Sequence, residues 1–227
     1  MKSMKYRTDN YATLVFDCDG VLLDSNKVKT DAFYKAALPY GDIAARKLAN
    51  YHVQNGGVSR YKKFAYFLEE IVDSATITMT LEQLLGRYAE YVKSGLIDCE
   101  VAEGLHELRK NTTGSRWIIV SGGDQCELRD VFAQRELGQL FDGGIFGSPD
   151  TKENILSREL GRANIIQPAI FIGDSKYDYK AATEAGLDFV FMSEWSEVKD
   201  WEQWTESNKI TTHKNISSLS TEITNKT

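Results

Sequence analysis

The chain has 227 residues, 42% of them apolar and 26% charged, which suits one or two domains with a substantial core and excludes bulk disorder. A formal charge of −6, with no basic stripe to neutralise phosphates, argues against nucleic acid as the main partner. No stretch approaches the roughly 20 apolar residues of a membrane span, and polar, basic Met1–Asn10 lacks the apolar run of a secretory leader, so no membrane association and a cytoplasmic location are expected.

Ala12–Asp17 (ATLVFD) is a short apolar run that predicts a buried strand. Arg116–Ser121 (RWIIVS), Ala169–Gly173 (AIFIG) and Asp188–Met192 (DFVFM) predict three more, and Gly143–Gly147 a weaker one. Helical patterns fall between them at Val101–Lys110, Gln125–Leu137, Thr151–Arg162 and Tyr177–Ala185. Alternating strands and helices imply an α/β fold, a Rossmann-like parallel sheet with helices on both faces. Almost a hundred residues separate the first two strands, where a βαβ crossover takes about 30 in all. The surplus reads as helical, with apolar residues at helical spacing in Val58–Val72 and Leu81–Lys93. Residues 25–98 are therefore expected to form an inserted helical domain, and 1–24 with 99–227 the sheet domain. Trp195, Trp201 and Trp204 are expected on a helix against the core, ahead of a polar tail that frays.

Chemistry concentrates at strand ends. Asp17-Cys18-Asp19-Gly20 closes the first strand, and strand alternation sends both carboxylates to one side. Such a pair is costly unless a cation lies between them. Ser121-Gly122-Gly123 closes the second, offering a hydroxyl and backbone N–H groups to a phosphoryl oxygen. Lys152 begins a helix after Gly147-Ser148-Pro149-Asp150-Thr151. Gly173-Asp174 closes a further strand, and Asp178 follows four residues on, adding hard oxygen ligands suited to Mg²⁺. Taken singly, each has an ordinary reading: a capping Asp pair, a strand-to-helix turn, a solvated lysine, an Asp N-cap. Three cysteines, Cys18, Cys99 and Cys126, form no CxxC pattern and read as free thiols. Asn-x-Ser/Thr triplets at Asn111, Asn215 and Asn225 read as chance without a leader.

The four motifs in this order resemble those of the haloacid dehalogenase-like superfamily, in its phosphatase branch with an inserted helical cap, over about Thr13–Met192. Phosphoglycolate phosphatases and β-phosphoglucomutases belong to that branch. The resemblance implies that Asp17 is a nucleophile forming an aspartyl phosphate and that Asp19 is the acid and base. It implies Mg²⁺ on Asp17, the backbone carbonyl of Asp19, and Asp174. Ser121, Gly122 and Lys152 would bind the phosphoryl group, and Asp178 would support the metal or orient Lys152. In the insert, Gly57-Val58-Ser59-Arg60 resembles a cap segment of β-phosphoglucomutase, which makes Arg60 a candidate for the substrate's far end; an exposed helix-face arginine is the alternative. Two departures stand out. Many cap-type relatives carry a His near Lys29, and many carry Pro at the position of Glu153. His52, His106 and His213 show no metal or triad spacing and read as structural or solvated, and the stripe Tyr61, Phe64, Tyr66, Phe67 and Leu68 reads as helix packing.

The expected activity is hydrolysis of a small phosphorylated metabolite, a sugar phosphate or short polyol phosphate, by a monomer or small homo-oligomer. A phosphomutase of the same fold and a non-catalytic binding protein are the alternatives.

Overall fold

The computed structural model describes residues 10–219. The first nine residues and the expected frayed tail from Ser220, with Asn225, lie outside the described residues.

Six parallel strands make one sheet: β1 (Thr13–Phe16), β2 (Arg116–Asp124), β3 (Ile145–Ser148), β4 (Ala169–Gly173), β5 (Asp188–Met192) and β6 (Thr211–His213), in the order β3-β2-β1-β4-β5-β6. The centres of β1, β2, β4 and β5 are continuous apolar runs because both faces of the sheet are covered there. Alternation splits each strand between two cores. Leu14, Phe16, Trp117, Ile119, Ile170 and Ile172 face one core, and Val15, Ile118, Val120 and Phe171 face the other. The first core is closed by α5 (Leu105–Asn111) and α6 (Gln125–Gln134), the second by α7 (Lys152–Gly161), α8 (Lys176–Glu184) and α9 (Trp201–Asn208). The chain reverses direction across the sheet between β1 and β4, the switch point where open α/β sheets take ligands.

The long interval is helical. It comprises α1 (Asn26–Ala37), α2 (Asp42–Gln54), α3 (Arg60–Tyr66), which continues as a π turn over Phe67–Ile71, and α4 (Leu81–Asp98). Phe33, Leu48, Phe64, Phe67, Tyr88 and Val92 fill its centre and run on into the first sheet core. The two connections to the sheet lie side by side: Leu23 bridges Val101 in antiparallel fashion, Ala102 N donates to Leu22 O at 2.9 Å, and Asp24 N donates to Glu100 O at 3.0 Å.

Several expectations need correction. The strand β6 was not foreseen, because Thr-Thr-His carries no apolar run and pairs only as an edge. Trp201 and Trp204 lie on α9, but Trp195 sits in the preceding loop and packs on the opposite core. The Val101–Lys110 pattern starts its helix only at Leu105, since Gly104 at φ +82 is left-handed. The Ser-Gly-Gly segment does not leave β2 as a turn; it prolongs the strand to Asp124 through a register shift against β3. In the aromatic stripe Phe64 and Phe67 are packing residues, Tyr66 stacks on Tyr51 at 3.9 Å, but Tyr61 reaches out of the insert to Asp124.

Phe16 immediately precedes Asp17 and packs against Trp117 at 4.6 Å and Phe141 at 5.7 Å. Phe16→Ala should cost about 3–5 kcal/mol by leaving a cavity at the base of the site. A lower urea midpoint at unchanged m value checks it, and a loss below about 1 kcal/mol would contradict this account of the core.

Candidate active site

Asp17 extends β1 by one residue, with its N–H still bonded to Ile172 O of β4 at 2.9 Å. Its carboxylate is 2% exposed. One oxygen accepts from Cys18 N at 2.7 Å and from Lys152 Nζ at 3.0 Å. Lys152, at the start of α7, is equally buried and also pairs with Asp178. Asp178 owes its place to a capping box at the head of α8: its second oxygen accepts from Ser175 Oγ at 2.6 Å and Ser175 N at 3.1 Å, while Ser175 Oγ accepts from Asp178 N. Asp178 therefore holds Lys152 on Asp17, and both its oxygens are committed.

The carboxylates of Asp17, Asp174 and Asp178 converge, with one oxygen of each within 4.8 Å of the others. Burial, reinforced by Asp178 and Asp19 against the attraction of Lys152, pushes the Asp17 carboxyl up to about 7. Burial and then Asp17 also push Asp174 well above the carboxylate range. Asp174 accepts from Asn26 Nδ2 at 3.1 Å, and the same amide donates to Trp195 O at 2.8 Å. Gly20 makes this approach possible: its φ is +75, and a Cβ there would lie 2.1 Å from Asp174 Oδ2.

Asp19 does not join the three converging carboxylates. Its oxygens accept from Lys29 Nζ at 2.5 Å and Ser25 Oγ at 2.6 Å. Burial alone would raise its pKa, but Lys29 together with the hydrogen bond from Ser25 outweighs burial and leaves Asp19 below the usual carboxylate range, while Asp19 in turn raises Lys29. The position near which many relatives carry a cap His thus holds an ammonium bonded to the expected acid and base.

The helical insert closes over these groups. Arg60 is buried, which removes the exposed-face reading, and its guanidinium is bidentate to Glu127 of α6 at 2.5 and 3.1 Å while lying 4.8 Å over Tyr88. Beside it Tyr61 donates to Asp124 at 2.7 Å. The turn 55–58 enters the site so far that a Cβ on Gly122 would meet the carbonyl oxygen of Gly57 at 2.0 Å. Asp17, Asp19, Arg60, Gly122 and Asp174 line the resulting cleft, which leaves about 40 Å³ for the centres of water molecules. Ser121 is fully buried behind it, where its Oγ accepts from Gly123 N at 3.0 Å.

Sequence reasoning missed Asn26, Lys63 and His52, all on this cleft. Asn26 directly follows the Ser25 that holds Asp19, so the start of α1 was its available signal. Lys63 and His52 stand 11 residues apart on α3 and α2, and no spacing rule connects them. His52 is structural in that its ring lies 4.5 Å from Phe33, but it also faces the site.

A parallel sheet that reverses at β1, with acid-bearing loops there and a helical insert above them, defines an α/β fold with its candidate site at the switch point. The family model for haloacid dehalogenase-like hydrolases matches residues 11–186, and the chain belongs to that family. Similar solved structures include a protein of Clostridium acetobutylicum described as a predicted phosphatase, at 19% identity and TM-score 0.72, covering 95% of this chain and 99% of that one. One from Haemophilus somnus, described as a predicted phosphoglycolate phosphatase, has 15% identity and TM-score 0.72 over 94% and 98% of the two chains. CbbY from Rhodobacter sphaeroides, solved in complex with phosphate, has 15% identity and TM-score 0.68 over 92% and 96%. At these identities the likeness establishes the fold. No curated protein matches the sequence.

The contact between Gly57 and Gly122 has a direct test. Gly122→Ala should hold the turn 55–58 off β2 and lower turnover at least tenfold while leaving melting temperature almost unchanged. Full activity in this variant would show that the contact is dispensable.

Proposed function

We propose that the protein hydrolyses a small phosphate monoester, with Mg²⁺ bound, through an aspartyl phosphate on Asp17. The observation that carries this reading is a buried carboxylate at the switch point, fixed by a buried lysine and walled by further carboxylates under a closed helical insert. The insert, residues 25–98, acts as a cap that opens for substrate and product.

The residues fit a hard divalent cation. Two carboxyls, Asp17 and Asp174, are disfavoured as anions where they stand, which a dication between them reverses. Asp178 is spent on Lys152 and Ser175, and the Asp19 side chain on Lys29 and Ser25. Asp17, Asp174 and the Asp19 carbonyl are left to hold the ion. When bound, it neutralises phosphoryl oxygens and screens their repulsion of the nucleophile.

In the first displacement an Asp17 oxygen forms a bond to phosphorus, the bond from phosphorus to the leaving oxygen breaks, and that oxygen takes a proton from the Lys29–Asp19 pair. In the second, Asp19 takes a proton from water, the water oxygen bonds to phosphorus, and the bond from phosphorus to Asp17 breaks. Lys152 and the Ser121–Gly122 segment hold the transferring group. Phosphate released in ¹⁸O-water should carry one label, whereas an isomeric phosphate ester without free phosphate would favour the phosphomutase reading. No helix among the described residues is long and apolar enough to cross a membrane, and a cytoplasmic location is part of the proposal.

Two outcomes test the assignments. Asp17→Asn should abolish phosphate release across a panel of phosphorylated metabolites. Asp19→Asn with a good leaving group should accumulate phosphoenzyme, and mass spectrometry should find the phosphate on Asp17; finding it on Ser121 would refute the assignment. The second concerns pH. Asp17 rises from 3.8 to about 7 on folding, so without metal stability falls as pH rises from about 4 to 7 and then levels. Metal binding needs the ionised form. Mg²⁺ should therefore raise the melting temperature more at pH 8 than at pH 5.5, the stabilisation at pH 8 being about 2.7 kcal/mol at a hundredfold excess over the Kd at that pH. An equal shift at both pH values would contradict the assigned ligands.

A further inference from the structure

Lys29, Arg60 and Lys63 line the cleft and Lys152 bonds to Asp17 on its wall; three of these four cations have carboxylate partners. Lys152 pairs with Asp17 and Asp178, Lys29 with Asp19, and Arg60 with Glu127. The fourth, Lys63, is 1% exposed and among the described residues bonds only to His52, through Nδ1 at 2.7 Å and more weakly the carbonyl at 3.5 Å. Phe33 lies beneath its ammonium, 5.5 Å from ring centre to Nζ. The carboxylates that act on it at longer range are Asp19, bonded to Lys29 and Ser25, and Glu197, which accepts from Thr30.

His52 adds a second unmet demand. With Lys63 donating to Nδ1, the ring carries its hydrogen on Nε2, and Nε2 is buried with no partner among the described residues. A buried cation without a counter-ion and a buried donor without an acceptor both cost stability, and the two stand together on the wall of one cleft. Burial and nearby Lys29 also draw the Lys63 ammonium down to about 7, a strain that an arriving anion relieves. Arg60 does not answer the same demand, because Glu127 already fills its fork.

We propose that Lys63 and His52 receive a second anionic oxygen group of the substrate, a carboxylate or a phosphate remote from the transferring phosphoryl group. The substrate class is then a short phosphate monoester with an acid tail, and not a neutral polyol phosphate. This rests on the phosphohydrolase reading above. About 40 Å³ of space for water centres in the closed cleft favours the shorter molecules.

The test uses matched pairs that differ only in the tail: 3-phosphoglycerate against glycerol 3-phosphate for a carboxylate, and fructose 1,6-bisphosphate against fructose 6-phosphate for a phosphate. Wild-type kcat/KM should favour the acid-tailed member of at least one pair by tenfold or more. Lys63→Met, close in volume, should bring that ratio near one; Lys63→Gln serves if the first variant does not fold. No wild-type preference in either pair, or a preference that survives both substitutions, overturns the proposal. Calorimetric titration of Asp17→Asn with the same pairs separates the two readings. Selective binding of an acid tail without wild-type turnover sinks the phosphohydrolase reading and keeps this one. Turnover without selectivity does the reverse.

Discussion

The site depends on one constraint: carboxylates crowd a place that water barely reaches. Asp17, Asp174 and Asp178 bring oxygens within 4.8 Å of each other beneath a closed insert. Lys152 is the internal answer, and its two ion pairs tie α7 to the end of β1 and the head of α8. Because Asp178 is itself fixed by the Ser175 capping box, the position of Lys152 follows from the geometry of a helix start and not from a flexible side chain finding its own place. Lys152 leaves an excess of negative charge, which a dication would complete. The same economy explains Asp19: with Lys29 as its own counter-ion it stands outside the crowded group.

Charge pairing recurs across the cleft. Arg60 on α3 and Glu127 on α6 meet from opposite sides, as do Tyr61 and Asp124. These contacts, with the turn 55–58 lying against Gly122, belong to the closed arrangement. Lys63 is the exception to the pairing rule, and that exception is what makes it informative about the ligand.

Much of the fold was legible because two-face burial writes itself into β1, β2, β4 and β5 as continuous apolar runs, and because the helices between them carry ordinary periodicity. The polar edge strand β6 and the prolongation of β2 through Ser-Gly-Gly were not legible, since a strand made by tertiary pairing leaves no local signal. At the site, Asp17, Asp19 and Asp174 could be singled out because each stands at a strand end, and Lys152 and Asp178 by their place in the order of the motifs. The roles of Arg60, Lys63 and His52 depend on how helices of the insert dock, and docking is not written in residue spacing. Lys29 was visible as a departure from the usual cap His, but its bond to Asp19 was not.

The paired connections between sheet and insert limit how the cleft can open. A single strand of chain would let the helices pivot in any direction, like a ball in a socket. Here Leu22–Asp24 and Glu100–Ala102 are laced together by hydrogen bonds, so they behave as one leaf of a door hinge. Twisting and sideways tilting would break the lacing, which leaves rotation about one axis as the low-cost motion. Asp19 and Ser25, bonded to each other beside that junction, would keep their mutual geometry in such a rotation. An opening of the proposed cap must break the Arg60–Glu127 pair, which joins α3 of the insert to α6 of the sheet domain.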